Sequence, residues 1–336
     1  MSSNIINEIN DENTQQISPD KQRPIIGVGS CLVAHPVRFN GGYKRKHMYI
    51  DRLKKHADLV PICPEMGIGL GVPRETIRLV DIDGELRARD SDTQTKDYTD
   101  KLKNYADEQL QRFPNLGGYI LVKGSPSCGY ERVTKYNEQG NGIGSDAAGI
   151  YAQRLMDQNP LLPVEEDGRL YDHALRESFV SRIYLYHDWQ QLIASGLTFK
   201  KLSDFYSRNK YLVMAHSVPA YKEIGPLLAN GKKHPLNELA DKIILLMTNA
   251  LKKVATRRSH TNVLHHLQGY LKNNLSQEEK KSLRSLIDQY REGIVPLIVP
   301  MTLLRHHFNH SPDEYIRNQV FMQPYPEDLA LRSHLT

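Results

Sequence analysis

Three cysteines and a single tryptophan are all that this 336-residue chain carries of either residue. An odd number of cysteines excludes a fully paired disulfide framework and fits a reducing compartment. None belongs to a local Cys-x-x-Cys, which removes the usual zinc hook and the ferredoxin-type cysteine run. No stretch approaches the roughly 18 apolar residues a membrane helix requires. The N-terminal segment from Met1 to Gln22 is polar, without the apolar core of a secretory signal. That segment, residues 1–22, reads as a disordered tail, and the chain as a cytoplasmic protein without a membrane partner. Internal repeats and low-complexity blocks are missing too. A net charge of +5 is modest for this length, although its sign agrees with a polyanionic partner.

Against that background the three cysteine loops stand out. Tyr119, Ile120, Leu121 and Val122 run directly into Lys123-Gly124-Ser125-Pro126-Ser127-Cys128-Gly129, a buried strand emptying into a tight loop. Ile25-Ile26-Gly27-Val28-Gly29-Ser30-Cys31 and Leu59-Val60-Pro61-Ile62-Cys63-Pro64-Glu65 repeat the arrangement. The spacing predicts strands over 25–28, 59–62, 77–80 and 119–122, with helices over 43–57, 92–113 and 145–158. The fold class expected for 23–163 is therefore α/β, with a mostly parallel sheet. Each cysteine then sits just past the carboxyl end of its strand, the edge where such sheets bind ligands, and three distant thiols are able to meet at one point.

From about Leu170 the pattern becomes all-α, so a helical domain over 170–336 is expected, with the boundary between Gln158 and Gly168. Leu236, Leu239, Ala240, Ile243, Ile244, Met247, Ala250, Leu251 and Val254 form one apolar stripe along a helix over 235–255. Ser276 and Glu279 form a capping box that opens another helix, ending near Gly293. Basic pairs recur through this half, among them Lys252-Lys253, Arg257-Arg258 and Lys280-Lys281, interleaved with tyrosine and histidine. Such pairs suit either a solvated helix face or a phosphate backbone. Lys252, Lys253, Arg257 and Arg258 are the candidate RNA contacts.

An unpaired cysteine is most often a small buried hydrophobe. Three of them in loops beside glycine, proline and serine also suit a shared site. A cubane iron-sulfur cluster on three thiolates leaves one iron without a protein ligand, open to a soft sulfur atom.

Gly29-Ser30-Cys31-Leu32, Val37-Arg38-Phe39-Asn40-Gly41-Gly42-Tyr43-Lys44, Cys63-Pro64-Glu65, Gly69-Leu70 with Pro73-Arg74, and Ser125-Pro126-Ser127-Cys128-Gly129 together resemble the thiouracil desulfidase family. Asn262 to Lys272, Tyr290-Arg291 with Gly293, and Pro296 to Pro300 are similar to its helical companion domain. The pair resembles the fused bacterial desulfidases that act on 4-thiouridine in transfer RNA. The resemblance implies a [4Fe-4S] cluster held by Cys31, Cys63 and Cys128 with one open iron, and desulfuration without net redox change. It also places the family's acidic residue at Glu65 and its serine at Ser125. Phe39-Asn40 and Val33-Ala34 depart from the commoner Tyr-Asp and Leu-Gly.

In the mechanism these residues suggest, Glu65 takes a proton from the attacking water and Ser125 orients the departing sulfur or the ring nitrogen. The plainer roles are a helix cap or a pair with Arg74 for Glu65, and a closed turn for Ser125. Arg38, Asn40, Lys44, Arg74 and Lys123 are the candidate substrate contacts. Asn40-Gly41-Gly42 reads as a turn, and no nucleotide cofactor is expected. The expected partner is transfer RNA or another thiolated uracil. Two other readings stay open: the same chemistry on free thiouracil or thionucleosides, and a non-catalytic RNA-binding or redox-sensing protein.

Overall fold

Strand β1 (Ile25–Gly29) is the centre of the first sheet, and its side chains explain why. Ile26 and Val28 are fully buried, and Gly27 admits the ring of Tyr119, which a Cβ would approach to 2.5 Å. The computed structural model describes residues 23–44, 47–310 and 313–334, so the tail expected over 1–22 lies outside the described residues. The chain divides into two compact units, Met1–Leu155 and Met156–Thr336.

In the first unit β1 is followed by a short 3-10 turn at Ser30–Val33, helix α1 (Met48–Leu53), strand β2 (Asp58–Ile62) and the one-turn helix α2 (Pro64–Gly67). Strands β3 (Ile77–Ile82) and β4 (Glu85–Asp90), helix α3 (Thr99–Arg112) and strand β5 (Leu116–Leu121) come next. Strands β6 (Val133–Tyr136) and β7 (Gly142–Ala147) lead to α4 (Ile150–Gln158), in which the division between the units falls. The first sheet runs β2-β1-β5 and is parallel, with Gly29 opposite Ile62 and Val28 opposite Ile120. The α/β class expected from sequence is the one observed.

Strand β3 does not join that sheet. It is the core of a second, mixed sheet of order β4-β3-β6-β7, antiparallel to β4 and parallel to β6. The cause is local: Asp83 and Gly84 both have positive φ, 54° and 85°, and close a two-residue hairpin from Ile82 to Glu85. The helix expected over 92–113 starts only at Thr99. Ahead of it, the buried Asp90 carboxylate accepts the backbone N–H groups of Thr93 (2.8 Å), Gln94 (2.9 Å) and Lys96 (2.7 Å), which ties 91–96 into a turn. Although burial pushes that carboxyl up, the Thr93 hydroxyl bond (2.6 Å) and these backbone hydrogen bonds bring it down to about 2. The helix expected over 145–158 likewise starts later, because 142–147 pairs with β6 instead, and the helix expected over 43–57 is observed over Met48–Leu53.

The second unit holds a short strand β8 (Val164–Glu166) and then helices: α5 (His173–Ala194), α6 (Phe199–His216), α7 (Val218–Ala229), α8 (Leu236–Leu251), α9 (Arg257–Tyr270), α10 (Gln277–Glu292), α11 (Ile298–His310) and α12 (Glu314–Arg317). The stripe read from sequence packs inward from Leu239 to Leu251, with Leu239, Ala240, Ile243, Ile244, Met247, Ala250 and Leu251 buried, whereas Val254 lies past the end of the helix and is exposed. Both halves of the Ser276–Glu279 capping box are present, and Gly293 ends α10 in the left-handed conformation at φ 81°. A buried polar network ties this core together. Glu177 accepts from Arg332 Nε (2.7 Å) and Tyr325 Oη (3.0 Å), and His260 Nδ1 lies 2.8 Å from Tyr290 Oη. Among the described residues no helix is long and apolar enough to cross a membrane.

Candidate active site

Because β2, β1 and β5 are neighbours and parallel, their carboxyl ends open on one side, and each delivers a cysteine there. Cys31 lies in the 3-10 turn after β1, which a left-handed Ala34 (φ 70°) terminates. Cys63 is the N-cap of α2, with Pro64 in the first helical turn. Cys128 closes the loop after β5, where Val122 N donates to Cys128 O (3.0 Å) and Gly129 N to Ser125 O (2.8 Å). Gly149 supports this loop from behind, since a Cβ there would lie 2.5 Å from the Ser127 backbone carbonyl.

All three cysteines line one cavity of about 250 Å³, together with Glu65, Ser125 and Ser127. Cys31 and Cys128 are 9% and 7% exposed. Burial pushes the Cys63 thiol up to about 11, with Glu65 and Cys31 adding to the rise. Burial pushes Cys128 further, opposed by its bond to Ser125 and reinforced by Glu65, Cys63 and Cys31. The thiols therefore share one poorly solvated space, in which their charges would be felt mutually. Without a cation Cys63 and Cys128 stay protonated; a bound metal reverses that balance. Among the described residues no group of three His, Cys, Asp or Glu side chains is set to hold a single metal ion.

Glu65 is held from two sides. Arg74 Nε and Nη2 reach its Oε2 at 2.8 and 2.6 Å, while Ser127 Oγ donates to Oε1 at 2.7 Å. Ser127 Oγ lies 3.0 Å from Ser125 Oγ, which accepts from Cys128 N at 3.1 Å and from Cys128 Sγ at 3.4 Å. A continuous hydrogen-bonded chain thus runs from Arg74 through Glu65, Ser127 and Ser125 to Cys128. Ser127, 1% exposed, was not singled out from sequence. Its signal was the second serine of Ser-Pro-Ser-Cys, which the turn places between Ser125 and the Glu65 carboxylate.

The candidate substrate contacts separate into three groups. Arg38, Lys44 and Lys123 line the cavity. Arg74 lines it as well, but its guanidinium is occupied: besides Glu65 it donates to Gly71 O and Val37 O, both at 2.8 Å. Asn40 is absent from the lining, and its Oδ1 accepts from Gly42 N at 3.1 Å, which makes it a turn residue. Lys252, Lys253, Arg257 and Arg258 belong to the helical unit, at the end of α8 and the start of α9. Lys252, Lys253 and Arg258 are exposed, and Arg257 is half-buried.

A family model described as 2-thiouracil desulfurase matches residues 26–167, which encloses every residue of this cavity. A second, described as a protein of unknown function (DUF1722), matches residues 210–326. The uncharacterized protein YbgA of Escherichia coli (strain K12) is 32% identical over 161 residues, 46% of this chain and 93% of that protein. The solved structure of the [4Fe-4S]-dependent thiouracil desulfidase TudS is 25% identical and has a TM-score of 0.37, covering 45% of this chain and 94% of that one. The cavity belongs to a 2-thiouracil desulfurase domain. The chain is a member of the YbgA family, in a two-domain form that joins this domain to DUF1722.

Proposed function

We propose that the chain is a non-redox desulfidase of thiolated uracil, acting on 4-thiouridine in transfer RNA and converting it to uridine. The observation that carries the reading is the convergence of Cys31, Cys63 and Cys128 with Glu65 and Ser125 on one cavity. Three soft thiols are the donor set that iron-sulfur clusters take, and a cluster spreads its ligands over separate irons, so they need not enclose one ion. Cys31, Cys63 and Cys128 would hold a [4Fe-4S] cluster, which would supply Lewis acidity for the thiocarbonyl sulfur.

The chain's own residues do the rest. Glu65, fixed by Arg74 and Ser127, orients the attacking water and takes its proton. Ser125, three residues before Cys128, orients the departing sulfur or the ring nitrogen, and Ser127, which donates its one hydroxyl hydrogen to Glu65 and accepts that of Ser125, holds the two in register. The C=S bond is exchanged for C=O; water supplies the oxygen, and its protons leave with the sulfur as hydrogen sulfide. No electron is gained or lost. A cavity of about 250 Å³ admits a single base and not a folded RNA, so the thiolated nucleotide has to be extruded from its stack.

The test is sulfide release by the anaerobically reconstituted protein, with 4-thiouridine-containing transfer RNA and free thiouracil compared side by side. Preference for the RNA supports the reading. Turnover of the free base alone reassigns the substrate, and RNA binding without sulfide replaces the enzyme by a binding protein.

A further inference from the structure

We infer that the groove between α9 and α10 seats the phosphate backbone of the RNA, an assignment that rests on the RNA reading above. The groove has a volume of about 610 Å³ and lies within the helical unit. Lys272 of the α9 end and Lys280, Lys281 and Arg284 of α10 line it, with His265 at its side and no carboxylate in the lining. Elsewhere in the molecule cations are commonly neutralised, as in Arg87–Asp97, Arg154–Asp107 and Arg332–Glu177. Among the described residues none of these four is in an ion pair. Of the four acidic residues of α10, Glu279 accepts from Ser276 N (2.8 Å) and Asp288 pairs with Arg291 (3.5 Å), while Glu278 and Glu292 are exposed and lie outside the groove lining. Four like charges on two walls repel one another, and a polyanion laid between them removes that repulsion while releasing its own counterions.

Gly269 is the second observation. It sits in the last turn of α9, one residue before the helix ends at Tyr270, where glycine is still a weaker helix former than alanine. Nothing within 4 Å would meet a Cβ at this position, so no intramolecular packing explains the glycine. It lines the groove and leaves the helix backbone open to close approach. The next residue, Tyr270, is 40% exposed and is the outermost ring of a cluster, its hydroxyl 3.1 Å from that of Tyr211 and its ring 6.0 Å from Tyr315. Lys210 Nζ stands 4.8 Å from the rings of both Tyr211 and Tyr315. Tyr270 is outside the groove lining, but an exposed aromatic next in the chain to a groove-lining residue suits a site that tracks a backbone and stacks a base.

The experiment measures binding of 4-thiouridine-containing transfer RNA to the full-length protein between about 50 and about 200 mM salt. The proteins compared are the wild type, the Lys280→Ala/Lys281→Ala/Arg284→Ala triple variant, Gly269→Ala, and a Lys252→Ala/Lys253→Ala/Arg258→Ala control. The triple variant is expected to lose at least tenfold in affinity and to flatten the log–log salt slope by about 2 to 3, roughly one per phosphate contact. Gly269→Ala is expected to melt no lower than wild type yet bind more weakly, a combination that a purely structural glycine does not give. Release of sulfide from free thiouracil stays at the wild-type rate in both. If the wild type binds no RNA, the RNA reading itself falls. If it binds and the groove variants match it while the control weakens, the backbone runs over the α8–α9 corner and the groove assignment is wrong.

Discussion

Replacing Ser127 by alanine tests the hydrogen-bonded chain at its middle link. The serine is 1% exposed, and its hydroxyl donates to Glu65 Oε1 at 2.7 Å while standing 3.0 Å from Ser125 Oγ. A hydrogen bond to a charged group contributes about 1.5–3 kcal/mol. Glu65 keeps both of its bonds from Arg74, so the carboxylate stays paired but loses the contact that sets the direction of its second oxygen. If that direction matters chiefly in the transition state, the whole loss appears in kcat, and about 1.5–3 kcal/mol corresponds to a fall of about 10- to 100-fold. KM for free thiouracil should move little, and the optical spectrum of the reconstituted cluster should be unchanged, because Ser125 still holds Cys128 N. Steady-state sulfide release on free thiouracil, read beside that spectrum, checks both. Wild-type kcat with an intact cluster would show that Ser127 does not connect the two groups. Loss of the cluster spectrum would instead make it a support of the cysteine loop.

Three further substitutions probe other parts of the account. Gly149→Ala drives a methyl to 2.5 Å from the Ser127 backbone, so thermal melting should show the first unit destabilised by about 1–3 kcal/mol, with sulfide release falling in step. Arg74→Lys cannot reproduce a guanidinium that bonds Glu65 twice and two backbone carbonyls besides, and it should cost about 2–4 kcal/mol of stability together with most activity, measured on the same samples. In the helical unit, burial lowers His260 to about 3. The unfolded histidine takes up a proton near its ordinary 6.5 while the folded one does not, so stability present above that pH is lost as pH falls toward 3. The loss amounts to at most about 5 kcal/mol. Acid unfolding followed by circular dichroism should be shallower in His260→Asn over that window, and an equally steep curve would assign the acid sensitivity to other groups.

What could be read in the sequence follows physical strength of signal. Uninterrupted apolar runs ending in Gly-Ser-Cys, Cys-Pro-Glu and Ser-Cys-Gly gave the buried strands and the loops after them, because both hydrophobic run and turn chemistry are local. The apolar stripe of α8 and the capping box of α10 are local in the same way. Strand β7 was illegible, since Gly142–Ala147 is mostly exposed and rich in glycine, and its form comes from pairing with β6 rather than from propensity. Asp83-Gly84 was a readable hairpin signal that went unread, and with it the second sheet. Within the site, Glu65 and Ser125 were found through their motif. The Glu65–Arg74 pair was one of the readings of Glu65, whereas Ser127 was not read, because its bond joins residues 62 positions apart across loops. The basic groove has the same character: Lys272 lies just past the end of α9 and Lys281 on α10, and sequence gives no hint that they line one groove.

Iron binding by the three cysteines is the most direct test. Wild-type protein reconstituted anaerobically with iron and sulfide should hold about four irons per chain, with the charge-transfer absorption of a cluster, and should release sulfide from thiolated uracil. Cys31→Ser, Cys63→Ser and Cys128→Ser should each abolish both signals while leaving the helical unit folded. Wild-type protein that takes up no iron, or one cysteine variant that keeps the full cluster and full turnover, would contradict the claim that these three thiols form one centre.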